Sequence, residues 1–168
     1  GKIISVVVDS LEDNRIWPMD NFAKLINLII NNFNVEKLFL ISLPEKKYLV
    51  EHIMKFNNFN RKLVDLSQES LERIIDVIAQ SNLFIGNDTG PMHIAAAVGT
   101  PVVALFGPTS PLRHSPHGEG HYVFEMPVSC RPCYKKVCRR RDAPNLCMNE
   151  IEAAVVADRI ISHVNSKD

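Results

Sequence analysis

The stretch from Leu83 to Ser110, LFIGNDTGPMHIAAAVGTPVVALFGPTS, constrains the fold more than any other part of the chain. It reads as an apolar strand, a tight polar loop, a short helix and a second apolar strand. Leu83 to Ile85 suits a buried strand, and Asn87 to Gly90 supply turn residues. Pro91 fits a first helical position because its missing N–H would be unpaired there in any case. The helix is therefore expected to start at Pro91, with Asp88 or Thr89 as its cap. Gly99 should end it, and Pro101 opens a strand over Val102 to Phe106.

A helix starting in that loop aims unpaired backbone N–H groups and the positive end of its dipole at whatever sits above the sheet, so an anion belongs there. Dipole attraction alone is worth only about 0.3–1 kcal/mol at an exposed site, so several groups must act together. Thr89 can add a hydroxyl, Gly90 lets a ligand approach the backbone, and His93, one turn inside, can donate a hydrogen bond. Asp88 would repel a phosphate if it pointed at one. It reads as a helix cap first and as a ligand to sugar hydroxyls second. The competing reading is an ordinary strand-to-helix turn with His93 packed or solvated.

Periodicity elsewhere alternates between strand and helix. Ile3 to Val8 is a continuous apolar run, and Phe22, Leu25, Ile26, Ile29 and Ile30 share one helical face. Leu38 to Ile41 repeats the strand. Glu45 to Phe56, with Leu49, Ile53 and Phe56 as its stripe, repeats the helix. After a polar turn at Asn57 to Arg61, Lys62 to Leu66 reads as a short strand, and Leu71, Ile74, Ile75 and Ile78 mark another helix. Gly107 to Cys147 shows no regular pattern. Helix resumes near Ile151, where Asn149 and Glu152 have capping-box spacing and Val156, Ile160 and Val164 form a stripe. Such alternation implies an α/β, Rossmann-like parallel sheet with helices on both faces and ligands at the carboxyl ends of its strands. The loop after Ile85, Ser42 to Glu45, and Gly107 to Ser110 should all lie at that end.

With 168 residues and 46% hydrophobic content, the chain can bury the core of one domain, residues 1–168. Lys plus Arg and Asp plus Glu are equal at 19 each, which argues against a nucleic-acid partner. No apolar run approaches the roughly 20 residues that span a bilayer, and no signal peptide precedes the first strand, so a soluble, cytoplasmic domain is expected. The opening Gly1-Lys2, directly before a strand, suggests that an amino-terminal portion is missing. No G-x-G-x-x-G follows the first strand, which disfavours a dinucleotide oxidoreductase.

Four cysteines fall in one irregular segment, as Cys130-x2-Cys133-x4-Cys138-x8-Cys147. In a reducing compartment they make a candidate structural zinc site, against which stand free thiols or opportunistic disulfides. Arg131, Lys135, Lys136, Arg139, Arg140 and Arg141 are interleaved with them. That patch could meet an anionic acceptor or the inner face of the cytoplasmic membrane, chiefly through Arg139, Arg140 and Arg141, or be a solvated loop. His114, His117 and His121 could line a cleft or occupy a surface loop. Trp17 reads as a packing anchor.

The string GNDTGPMHIAAAVGTPVVALFGPTSP resembles the signature of the heptosyltransferases, glycosyltransferases of the two-domain GT-B type (family 9) that build the inner core of lipopolysaccharide. Asp88, Thr89, Gly90, Pro91, Met92 and His93 all lie in the family pattern. Upstream, Asn14-Arg15-Ile16-Trp17-Pro18 is similar to the family's lysine-x-Trp-Pro segment, with Arg15 where a lysine is usual. Arginine keeps the charge for a diphosphate but presents a planar fork. A further departure is Asp9-Ser10-Leu11-Glu12-Asp13, which brings three acids beside a presumed diphosphate site. The resemblance implies the carboxyl-terminal, donor-binding domain. Arg15, Glu45 and Asp88 to His93 would hold ADP-heptose, and Glu45 would accept from the ribose hydroxyls unless it is simply a helix-start acid. It further implies inverting heptose transfer to a lipid A–core acceptor without a cofactor. The general base would belong to an amino-terminal domain, leaving no catalytic residue here and an isolated domain that turns nothing over. Alternatives are a non-catalytic nucleotide-sugar binding module and a GT-B-like enzyme using another nucleotide sugar, such as an epimerase.

Overall fold

A computed structural model of the chain describes residues 1–57 and 61–165. Six parallel strands form one sheet in the order β3-β2-β1-β4-β5-β6. They are β1 (Lys2–Val7), β2 (Val35–Ile41), β3 (Leu63–Asp65), β4 (Leu83–Asn87), β5 (Val102–Phe106) and β6 (Tyr122–Glu125). The main crossover helices are α1 (Met19–Asn32), α2 (Lys47–Lys55), α3 (Leu71–Gln80) and α4 (Gly90–Ala97). Short turns α5 (Pro111–His114) and α6 (Leu146–Asn149) precede the last helix, α7 (Ala153–Asn165). The parallel sheet with helices on both faces is the one expected from the alternating pattern, and its strand order is doubly wound.

Alternation along each strand assigns the two faces. Ile4, Val6 and Val8 join Ile85, Val103 and Leu105 beneath α1, α2 and α7, where Phe22, Leu25, Ile26, Ile29, Ile53, Val156 and Ile160 are buried. Val7 joins Phe84, Val102, Ala104 and Phe106 on the opposite face, beneath Val77 and Ile78 of α3 and Met92 and Ala95 of α4. Each such fully buried large aliphatic contributes about 1.5–3 kcal/mol. Both faces are covered, so the strands read as apolar runs.

Several local expectations need correction. α4 starts at Gly90, one residue before Pro91, and Thr89 is its N-cap. Phe56 is 61% exposed, so the apolar stripe of α2 ends at Ile53. Asn149 and Glu152 do not form a capping box: Asn149 closes α6 and its amide donates to the Pro144 carbonyl, while α7 begins after Glu152. Val164 lies outside the residues whose side chains are described, as does most of the turn proposed between Asn57 and Arg61. Within the segment expected to lack a strand, Tyr122–Glu125 pairs with β5 at the sheet edge. Only four residues long and half exposed, it carries too little apolar periodicity to stand out.

Candidate functional site

The carboxyl ends of β1, β2, β3 and β4 frame a cleft of about 610 Å³. Such a sheet has its natural crevice where the winding reverses, here between β1 and β4. From the β1 side come Asp9, Ser10, Leu11 and Arg15, and from the β4 side Asp88, Thr89, Gly90, Pro91 and His93. Ile41, Leu43, Leu71 and Ile74 give the β2–β3 side an apolar wall, and His114 stands on the β5 side.

Asn87 holds the two halves of this site together. Fully buried at the end of β4, it accepts a hydrogen bond from the Trp17 N–H at 3.0 Å and donates to the Asp9 carbonyl at 3.0 Å. The Trp17 indole is buried and donates to the Ile151 carbonyl at 2.9 Å, so it is the packing anchor its type implied. Arg15, two residues before it, is thereby carried over the amino end of α4. Its Nη1 stands 3.7 Å from the Asp88 carboxylate, which is 7% exposed. Asp88 thus faces the arginine and makes no cap. Arg15 Nε and the Thr89 hydroxyl are both buried with no hydrogen-bond partner among the described residues. A Cβ placed at Gly90 would meet nothing within 4 Å, so the space beside the helix start is open.

The acids of the Asp9–Asp13 segment are largely answered by neighbours. Asp9 accepts from the Leu43 N–H, and burial, outweighing that bond and nearby Lys46, raises its pKa. Lys46 donates to Asp13 at 2.7 Å and to the Ser10 carbonyl at 2.6 Å, while Lys136 stands 3.6 Å from Glu12.

Two expected ligands are not in the cleft wall. Met92 is fully buried in the core beneath α4, because the helix turns that position toward the sheet. Glu45 is exposed on the 3-10 turn Pro44–Lys46, one residue beyond the wall residue Pro44. Of the three loop histidines, His114 reaches the cleft. His121 lies instead at the sheet edge, where its Nδ1 accepts from the Val102 N–H and its Nε2 donates to the His117 carbonyl.

The four cysteines offered for zinc lie near enough together for Cys147 to feel Cys130, Cys133 and Cys138. Among the described residues no group of three or more His, Cys, Asp or Glu side chains is arranged to hold a metal. Cys130, Cys133, Cys138 and Cys147 are free thiols spread from an exposed to a buried position. Cys138 Sγ accepts from the Asn145 N–H, and burial raises the Cys147 pKa. What pins this segment is Arg131, whose side chain is 8% exposed and no part of a surface patch. Its guanidinium donates to the carbonyls of Gly107, Met126 and Thr109 and to the Glu125 carboxylate at 2.7 Å. Arg140 is likewise held, by Asp142 at 2.5 Å. Arg139 and Arg141 remain exposed.

Residues 2–143 match the profile of glycosyltransferase family 9 (heptosyltransferase). The chain belongs to this family. It is 33% identical over 116 residues to lipopolysaccharide heptosyltransferase 1 of Campylobacter coli, an alignment covering 68% of this chain and 34% of that protein. It is 30% identical over 145 residues to lipooligosaccharide heptosyltransferase 2 of Campylobacter jejuni, covering 85% and 44%. The fold superposes on E. coli ADP-heptose LPS heptosyltransferase II with a TM-score of 0.77 at 21% identity, over 97% of this chain and 45% of that one. E. coli heptosyltransferase WaaC with ADP gives 0.74 at 21% identity, over 96% and 44%. This family member thus spans between a third and a half of the length of those heptosyltransferases. No helix among its described residues is long and apolar enough to cross a membrane.

Asn87 and Arg131 were missed as organisers of the site. Asn87 carried only the signal of a polar residue ending an apolar strand, which also fits a turn. Arg131 lay inside a basic run, where nothing local separates a buried guanidinium from solvated ones.

Proposed function

We propose that residues 1–168 form the donor-binding domain of a heptosyltransferase that moves heptose from ADP-heptose to the lipopolysaccharide inner core. The observation that carries this reading is the pair of buried, unpartnered groups, Thr89 Oγ1 and Arg15 Nε, at the open amino end of α4. Unsatisfied buried polar atoms cost stability unless a ligand completes them. Hydroxyl, guanidinium and free helix N–H groups together match a diphosphate. Family relatives support the donor: WaaC has been solved with ADP and with ADP-2-deoxy-2-fluoro heptose.

The apolar wall of Ile41, Leu43, Leu71 and Ile74 suits a nucleobase, and Glu45, the residue after the wall residue Pro44, is the carboxylate proposed to accept from the ribose hydroxyls. In the proposed reaction an acceptor hydroxyl attacks the anomeric carbon and inverts it. The bond from that carbon to the β-phosphate oxygen breaks, and ADP leaves with the electron pair. Thr89, the α4 N–H groups and Arg15 stabilise the charge that grows on the diphosphate, a preorganised electrostatic role. Asp88 limits that role by sharing Arg15, and it can orient sugar hydroxyls. The acceptor and the base taking its proton belong to an amino-terminal domain outside residues 1–168, and the chemistry calls for no cofactor. Arg139 and Arg141, beside the Asp142-bound Arg140, are the groups available to an anionic acceptor or to the inner face of the cytoplasmic membrane.

Calorimetric titration with ADP, UDP and GDP tests the assignment. ADP should bind in preference to the other two, and Thr89→Val should weaken ADP about fivefold while the fold stays intact. A preference for UDP or GDP would move the domain to another nucleotide sugar. Unchanged affinity in the Thr89 variant would remove the phosphate cradle from the proposal.

A further inference from the structure

Resting on the donor-cleft reading above, we propose that His114 recognises the sugar of the nucleotide sugar and that Tyr134, from the cysteine-bearing segment, is its positioning residue. A nucleoside-diphosphate sugar is a linear ligand whose charged middle separates two unlike ends. The anion cradle lies at the β1–β4 junction, and the apolar wall lies to one side of it, over β2 and β3. With the nucleobase on that side, the sugar must point across β4 toward β5. His114, at the end of the turn that follows β5, lines the cleft there. An imidazole offers both a donor and an acceptor, which suits vicinal hydroxyls.

The cysteine-bearing segment is built to hold that imidazole. The Tyr134 ring meets His114 edge-on, with centroids 5.8 Å apart and planes at 65°, an arrangement aromatic pairs favour. The Tyr134 hydroxyl accepts from the Ser110 N–H at 3.3 Å, just before α5. The backbone N–H groups of Cys133 and Tyr134 both donate to the Pro108 carbonyl at 3.0 Å, and Arg131 ties the same loop through Gly107 and Thr109. On its other side the segment reaches the Arg15 loop, where the Asn14 amide donates to the Lys135 carbonyl. Tyr134 itself has a φ of +52°, a left-handed backbone that a tyrosine adopts only when its surroundings impose it. One segment thus connects the phosphate-binding loop and the β5 loop.

The test compares the affinities of this chain for ADP and for ADP-heptose by calorimetry, in wild type and in five variants. His114→Ala should cut the preference for ADP-heptose over ADP about fivefold and leave ADP binding unchanged. His114→Gln, which keeps a donor and an acceptor, should retain part of that preference. Tyr134→Ala should behave like His114→Ala, while Tyr134→Phe, which keeps the ring contact, should restore most of it. A purely structural effect would weaken both ligands together. An unchanged preference, an equal loss for both ligands, or a wild type that binds ADP-heptose no better than ADP would each overturn the proposal. The fifth variant, Thr89→Val, keeps the two readings apart: if it leaves ADP affinity intact, or if wild type binds neither ligand, the donor cleft itself is wrong.

Discussion

Asn87 illustrates how much of this site depends on single side chains that make no contact with the expected ligand. The two hydrogen bonds of its side-chain amide join the ends of β1 and β4 to the Trp17 segment, and so fix where Arg15 begins. Arg15 then serves two masters. Asp88 draws it to one side at 3.7 Å, while its Nε is left for something else. At this scale the prediction concerns phosphate reading. Arg15→Ala should lower ADP affinity about tenfold, in the range of a charge-assisted hydrogen bond, and leave adenosine binding nearly untouched. Calorimetry with both ligands checks it; equal losses would show that Arg15 does not read phosphate. The place of Arg15, Thr89, Gly90 and His93 in the cleft wall was legible, from the polar side chains of three of them and from the turn that Gly90 marks. The role of Asp88 was not, because a carboxylate next to a helix start caps as readily as it pairs, and only the position of Arg15 separates the two.

At the level of elements, the strands and long helices follow from apolar periodicity, whereas the segment from Gly107 to Cys147 does not. Its order comes from Arg131, which donates to three backbone carbonyls in a stretch with little ladder of its own. Gly107 adds a close approach that a larger residue would block, since a Cβ there would strike Met148. Arg131→Ala should therefore destabilise the domain by roughly 2–4 kcal/mol, because several partly buried acceptors lose their donor at once. Denaturant unfolding measures this, and a change under 1 kcal/mol would mean that the segment is held by other contacts. The spacing of the four cysteines suggested a metal in this role. The other three thiols do come within electrostatic reach of Cys147, but among the described residues no three side chains are arranged to hold a metal, and the Arg131 guanidinium ties the chain.

For the molecule as a whole, the sheet order brings loops distant in sequence to one crevice, and the stability of that arrangement carries a pH dependence through Asp9. Burial raises the Asp9 pKa, against the lowering influence of the Leu43 N–H and Lys46. The folded state therefore holds this proton more tightly than the unfolded chain does. The associated stability is fully present below the unfolded carboxylate value and is lost as pH rises through the folded one. Asp9→Asn keeps an acceptor for the Leu43 N–H and removes the buried charge. It should thus raise the unfolding temperature relative to wild type at pH 7, with the difference shrinking toward about pH 3. Thermal scans across that range check it, and a gap that grows on acidification would reverse the sign. By itself, the sequence determined the α/β alternation, the burial of both sheet faces and the polar turn from which α4 starts, because hydrophobic period, turn chemistry and helix ends are local properties. Only the tertiary structure decided that Asn87 ties Arg15 to α4, that Met92 points into the core, that lysines answer the acidic loop and that His114 reaches the cleft. Those outcomes depend on which distant backbone atoms come within hydrogen-bonding or packing distance, and no local pattern encodes that.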